Sequence, residues 1–120
     1  MAKIDLNDAK AMVQHYVDTK LVLIDGTYKM NDTKSIWFSI EQVKAFMDTL
    51  TPDTTGVRIY LAAYGDKDAY PNQTTVVAIG TKLDPATSRD VDSISHDVQS
   101  LTGDGGTDPY NTGKLCPPIC

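Results

Sequence analysis

The stretch GVRIYLAAYG at residues 56–65 constrains the fold more than any other. Its side chains alternate strictly. Val57, Ile59, Leu61 and Ala63 share one side, and Arg58, Tyr60, Ala62 and Tyr64 share the other. A period of two residues is that of a β-strand, whose successive side chains point to opposite faces. QTTVVAIGT at 73–81 reads as the next strand, and GDKDAYPN at 65–72, between them, consists of turn formers. The two runs are predicted to pair as a hairpin with a long loop. The apolar side, with Ile59 at its centre, is expected to be buried.

A half-apolar sheet needs a second layer, and the sequence offers helices for it. SIEQVKAFMDTL begins at Ser39 with Gln42 three residues on, the signature of a capping box. Ile40, Val43, Phe46, Met47 and Leu50 follow helical spacing, and Pro52 closes the segment. Residues 7–20 form a further predicted helix on Met12, Val13, Tyr16 and Val17, with Asp5 or Asn7 as its cap. LVLI at 21–24, cut off by DGTY, reads as a short buried strand, and another strand is expected near 34–38 with Trp37 and Phe38. Val91, Ile94, Val98 and Leu101 suggest a last helix over 88–101, against its Ser and Asp content. The expected fold is α+β: a small, mainly antiparallel sheet with two to three helices packed on one face. All 120 residues form one expected domain, with about 102–120 as an irregular tail docked on it.

Composition supports folding and narrows the partners. Leu, Ile, Val and Phe make up 27 of 120 residues, above the roughly one-fifth below which charged chains stay disordered. The net charge of −5 belongs to one segment: six aspartates (84, 90, 92, 97, 104 and 108) stand there against Arg89 alone. No basic patch exists to hold nucleic acid, so none is expected as a partner. The acidic segment suits a basic protein surface or a solvated face. The charged start MAKIDLNDAK and the lack of a long apolar run predict a cytoplasmic protein with no membrane contact.

Three groups of residues are candidate sites. Arg58, Tyr60 and Tyr64 project from one strand face, and Trp37 is a further candidate for the same side. An arginine among aromatics can hold a small anionic or planar ligand by forked hydrogen bonds and stacking. The same set can also be a covered sheet face, and Asp66 and Asp68 in the next loop can join it or serve as turn residues. His96 lies among Asp90, Asp92 and Asp97, which fits a metal ligand or a base of raised pKa as well as an exposed side chain. His15 reads as a surface residue of its helix. GDGGTDP at 103–109 lacks the acidic series of a calcium loop, and no phosphate-binding glycine motif or nucleophile elbow occurs.

The third group is the end of the chain, KLCPPIC, which holds both cysteines, Cys116 and Cys120, around a Pro-Pro pair. Four residues apart, they can close a small disulfide, pack as thiols or supply two ligands to zinc or another thiophilic metal. No cofactor at all is the leading expectation. A cytoplasmic location predicts thiols that are reduced in the cell and, facing each other, able to oxidise in air. The proline pair cannot extend a helix, and Leu115 and Ile119 give it apolar anchors.

The IWFS helix start, the GVRIY strand and the Leu-Cys-Pro-Pro-x-Cys end together resemble a family of small bacterial proteins sharing these three features. The resemblance spans the chain from Ile36 onward. It implies a common fold and carries no activity. Two functions are therefore expected from the residues themselves. The first is a non-enzymatic binding or interaction module, presenting its arginine-aromatic face or its acidic segment. The alternative is a metal-binding or thiol-redox protein acting through Cys116 and Cys120.

Overall fold

The computed structural model describes residues 1–93, 111 and 113–120. The N-terminal helix begins where Asp5 accepts a hydrogen bond from the Asn7 amide at 2.8 Å, satisfying one of the free donors of the first turn. It comprises α1 (Leu6–Tyr16), a π-helical segment (Val17–Leu21) and α2 (Val22–Tyr28). Lys29, at φ 52°, then ends it in the left-handed region. LVLI is thus helical, not the expected strand. Four apolar residues are too few for periodicity to separate strand from buried helix, and no breaker precedes them to stop α1.

The strands that follow form two antiparallel sheets. β1 (Ser35–Trp37) leads through Ser39 into α3 (Ile40–Asp48), where the expected capping box is complete. The Gln42 amide donates to Ser39 Oγ at 3.0 Å, and Gln42 Oε1 accepts from the Ser39 amide at 2.9 Å. β2 (Thr54–Ala63) and β3 (Thr74–Asp84) form the predicted hairpin, running from Gly56 opposite Thr81 to Ala63 opposite Thr74, with a bulge beside Thr55. β4 (Arg89–Asp92) pairs with the far end of β3, giving the order β2-β3-β4. β5 (Lys114–Cys116) pairs with β1 as a separate two-stranded ribbon. The chain is an α+β fold, antiparallel throughout its described strands.

β4 replaces the start of the helix expected over 88–101, whose remainder from 94 lies outside the described residues. The reason is the turn before it. Asp84 accepts from the Ala86 amide and the Thr87 hydroxyl, each at 3.0 Å, and Ser88 adopts φ 57°. Such a side-chain-braced turn with a left-handed residue reverses the chain and returns it along β3.

The hairpin's faces are inverted relative to the sequence reading. Ile79 is fully buried, with Thr75 and Thr81 on its side of β3, and this side is shared with Arg58, Tyr60 and Ala62. Ile59, expected in the core, is exposed, as are Val57 and Leu61. Alternation fixes which residues share a face but does not decide which face turns inward. Here the polar side goes in because β4 brings it hydrogen-bond partners.

Among the described residues the buried apolar set is small: Leu21, Phe46, Ile79 and Leu115. Of the apolar stripe of α3, Phe46 is buried and Leu50 half-buried, while Ile40, Val43 and Met47 stay exposed. Polar groups complete the interior, chief among them Asp32. Its carboxylate accepts from the amide of Thr74 at 2.7 Å and from the Thr74 hydroxyl, while its own amide donates to Asp25 at 2.7 Å. The Thr33 hydroxyl donates to the Thr74 carbonyl at 2.6 Å, and the Lys34 amide to the Cys116 carbonyl at 2.5 Å. One three-residue segment therefore ties the first turn of α2, the start of β3 and β5 together. A buried carboxylate is tolerable there because its acceptors are satisfied.

Candidate functional site

The inner face of the hairpin gathers Arg58 and Tyr60 around a partner the sequence reading does not assign to them, Asp92 of β4. Arg58 donates from one guanidinium nitrogen to Asp92 Oδ1 at 2.7 Å and from the other to the Asp90 carbonyl at 2.9 Å. The Tyr60 hydroxyl donates to Asp92 Oδ2 at 2.5 Å. The hydrogen bond to Asp92, aided by desolvation, raises the Tyr60 pKa above its ordinary value. The nearby Tyr60 hydroxyl, outweighing desolvation, and the Asp92 charge raise that of Arg58. The fork that could hold a free carboxylate is already engaged, one arm by the Asp92 carboxylate and the other by the Asp90 carbonyl. An open cavity of about 410 Å³ lies beside it, lined by Thr55, Arg58, Thr81 and Asp90 among others.

The other aromatic candidates are elsewhere. Tyr64 donates to Asn111 Oδ1 at 2.6 Å, and the Asn111 amide group donates to Thr75 Oγ1 at 3.1 Å and the Val76 carbonyl at 2.6 Å. Tyr64 thus fastens Asn111 to the end of β2 while Asn111 itself reaches β3, and the Tyr64 ring lies 6.1 Å from that of Tyr70. Asp68 turns into its own loop, accepting from the Gly65 amide at 2.5 Å, and Asp66 is exposed. His15 is an exposed residue in the last turn of α1. His96 lies outside the described residues, as do Asp97, Asp104 and Asp108 of the acidic segment.

Trp37 belongs to the two-stranded ribbon. It sits opposite Lys114, whose ammonium lies 4.8 Å from the indole centroid, a cation–π contact. Ser35, Trp37, Lys114 and Cys116 share one face of the ribbon, while Leu115 on the other face is buried. Cys116 and Cys120 form a disulfide with their Cα atoms 4.7 Å apart. This is the oxidised state of a pair expected to be reduced in the cell and able to oxidise in air. The bridge closes a turn through Pro117 and Pro118, which Gln73 also holds by donating to the Pro117 carbonyl. Ser35, Trp37, Lys114, Cys116, Ile119 and Cys120 line an open groove of about 420 Å³. In this state neither sulfur is a thiolate, the form that ligates metal. Among the described residues no group of three or more His, Cys, Asp or Glu is placed to hold a metal ion.

A third feature lies on the face that hydrophobicity alone assigns to the core. Along β2, Val57 is 41%, Ile59 61% and Leu61 83% exposed. They stand in one row beside Val76 and Ala78 of β3, on the strand at the sheet's edge. Large apolar residues aligned on an edge strand are the surface natural proteins otherwise cover or break with charge.

No family model, curated protein or solved structure matches this chain. No helix among the described residues is long and apolar enough to cross a membrane.

Proposed function

We propose that the protein is a non-enzymatic interaction module that docks a partner on the outer face of β2. The observation that carries this reading is the exposed row Val57, Ile59 and Leu61 on an edge strand. Burying such a row is worth roughly 25 cal/mol per Å² of apolar surface, and the edge offers backbone groups to a further strand. The arginine-aromatic face is less suited to this task, because Arg58 and Tyr60 are already paired with Asp92. A photo-crosslinking residue at position 61 should give a defined protein adduct that Ile59→Glu abolishes, with none from position 66 in the hairpin loop. Equal adducts from both positions, or none from 61, would refute the reading.

The disulfide favours a second reading, thiol–disulfide exchange at the chain end. Cys120 is exposed and Cys116 half-buried, beside the Trp37 indole and the Lys114 ammonium. An incoming thiolate would bond to Cys120 Sγ and release Cys116 as the thiolate. A second thiol of the same dithiol substrate would then displace Cys120, leaving substrate oxidised and both cysteines reduced. Oxidation of a dithiol peptide by the intact protein, lost in Cys120→Ser, tests this. An unchanged rate would exclude it.

A further inference from the structure

Resting on the interaction-module reading, a second uncovered apolar surface names the partner. It lies on α1. That helix buries no residue, and Leu6, Met12 and Val13 are 66%, 65% and 60% exposed. Leu6, Ala9, Val13 and Tyr16 recur at helical spacing and form one stripe, flanked by Met12. Asn7, Asp8, Gln14 and His15 occupy the opposite side. A helix stripe and a sheet face are the two halves of a layered α+β core. Their lengths agree: Leu6 to Val13 spans about 10 Å at 1.5 Å per residue, and Val57 to Leu61 about 13 Å at 3.3 Å per residue. Within one chain the two do not meet, since contact between them would cover Val13 and Ile59.

We propose that they meet between two copies of the chain. α1 of each copy lies on the Val57–Ile59–Leu61 face of the other, and a two-fold axis relates the two contacts. A second copy is the occupant because each chain carries both a helix stripe and a sheet face of matching length, which two copies cover reciprocally, while Ile40, Val43 and Met47 of α3 stay outside the contact. A single self-complementary arrangement then covers all four surfaces and closes without open ends. A foreign partner seated on the sheet would leave α1 bare. The exposed parts of Leu6, Met12, Val13, Val57, Ile59 and Leu61 amount to roughly 600 Å² per chain, or about 1,200 Å² in the pair, the lower bound for specific protein interfaces.

The test uses the full chain and two substitutions at exposed positions, Val13→Lys and Leu61→Glu. Light scattering should give twice the 13.1 kDa chain mass for the native protein at high concentration and the single-chain mass for each variant alone. Circular dichroism, with melting matched to dilute native protein, confirms that each variant folds. Mixing the variants should restore a dimer. The unaltered helix of one then meets the unaltered sheet of the other, while the introduced lysine faces the introduced glutamate in the second contact. A native protein that is monomeric at every concentration overturns the proposal, and so does a Val13→Lys variant that still dimerises. Carbene footprinting of Leu61 separates this failure from that of the parent reading. Labelling in dilute protein that falls on concentration supports the exchange. Labelling equal at both concentrations removes the second copy but leaves the docking face. Protection in a proven monomer refutes both.

Discussion

Ile79 and Ile59 stand one residue pair apart on neighbouring strands and test which face of the hairpin is the core. Ile79 is 0% exposed and Ile59 61% exposed, on opposite faces. Truncating either to alanine removes three carbons. At Ile79 all three leave a closed environment, so transfer alone costs about 2.4 kcal/mol at 0.8 kcal/mol per methylene, and the cavity carries the total to about 2–5 kcal/mol. At Ile59 only the covered two-fifths counts, about 1 kcal/mol, measured in dilute protein where no second copy contributes. Urea unfolding followed by circular dichroism gives both values, provided the denaturant slope stays constant between variants. An Ile59→Ala cost equal to or above that of Ile79→Ala would show that the apolar row is the interior. The assignment of faces would then fail, and the docking surface with it.

Asp92→Ala leaves Arg58 and Tyr60 without their shared acceptor and should cost about 1–3 kcal/mol, whereas Asp92→Asn, which keeps one oxygen, should cost less in the same urea assay. Because Tyr60 has a folded-state pKa above its ordinary value of about 10, its contribution is complete below that pH and is lost as pH rises through the raised value. The alkaline decline of stability should therefore be shallower in Tyr60→Phe; identical declines would refute the role of this hydroxyl. Gly113→Ala should cost about 1–3 kcal/mol by overpacking, since a Cβ there would lie 2.3 Å from Ile36 Cγ2 and 2.7 Å from Phe38 Cζ. Its amide-exchange signature should be faster exchange in β5 and β1, and unchanged exchange there would argue against the clash.

The parts of the fold legible in the sequence are those with local causes. Ser39 and Gln42 announce α3 because the capping box needs only residues three apart, and Asp5 announces α1 for the same reason. The β2–β3 hairpin is legible because alternation and turn composition agree. The parts that are not legible depend on distant partners. Nothing near Arg58 in the chain says that Asp92 will face it, because that meeting requires β4 to pair with β3 across the turn at Asp84–Ser88. A left-handed Ser88 after Asp84-Pro-Ala-Thr closes that turn, and only the turn-forming composition hints at it. Residue type groups Trp37 with Arg58, yet it lies in the other sheet, where its register with Lys114 sets its surroundings. Asp32 stands inconspicuously within Asn-Asp-Thr, although it is buried and its hydrogen bonds join α2 to β3.

The inverted hairpin and the proposed exchange of helices follow from one energetic fact. The described interior holds Asp32, Thr33, Gln73, Thr75, Thr81 and Ser93 beside only four buried apolar side chains. A satisfied internal hydrogen bond contributes about 1 kcal/mol net, so such an interior fixes geometry better than it adds stability. The larger unused source is the apolar surface left outside on α1 and β2. If association recovers it, dimerisation is linked to folding, and mass action makes stability rise with protein concentration. The melting temperature of the native chain should then climb as concentration increases, and Val13→Lys should melt at one temperature throughout. For a domain of this length each 1 kcal/mol gained corresponds to a shift of roughly 4 °C, which calorimetry resolves readily. A dimer whose melting temperature ignored concentration would mean that the outer surface adds nothing to the folded state. The hydrogen-bonded interior would then have to hold the fold alone.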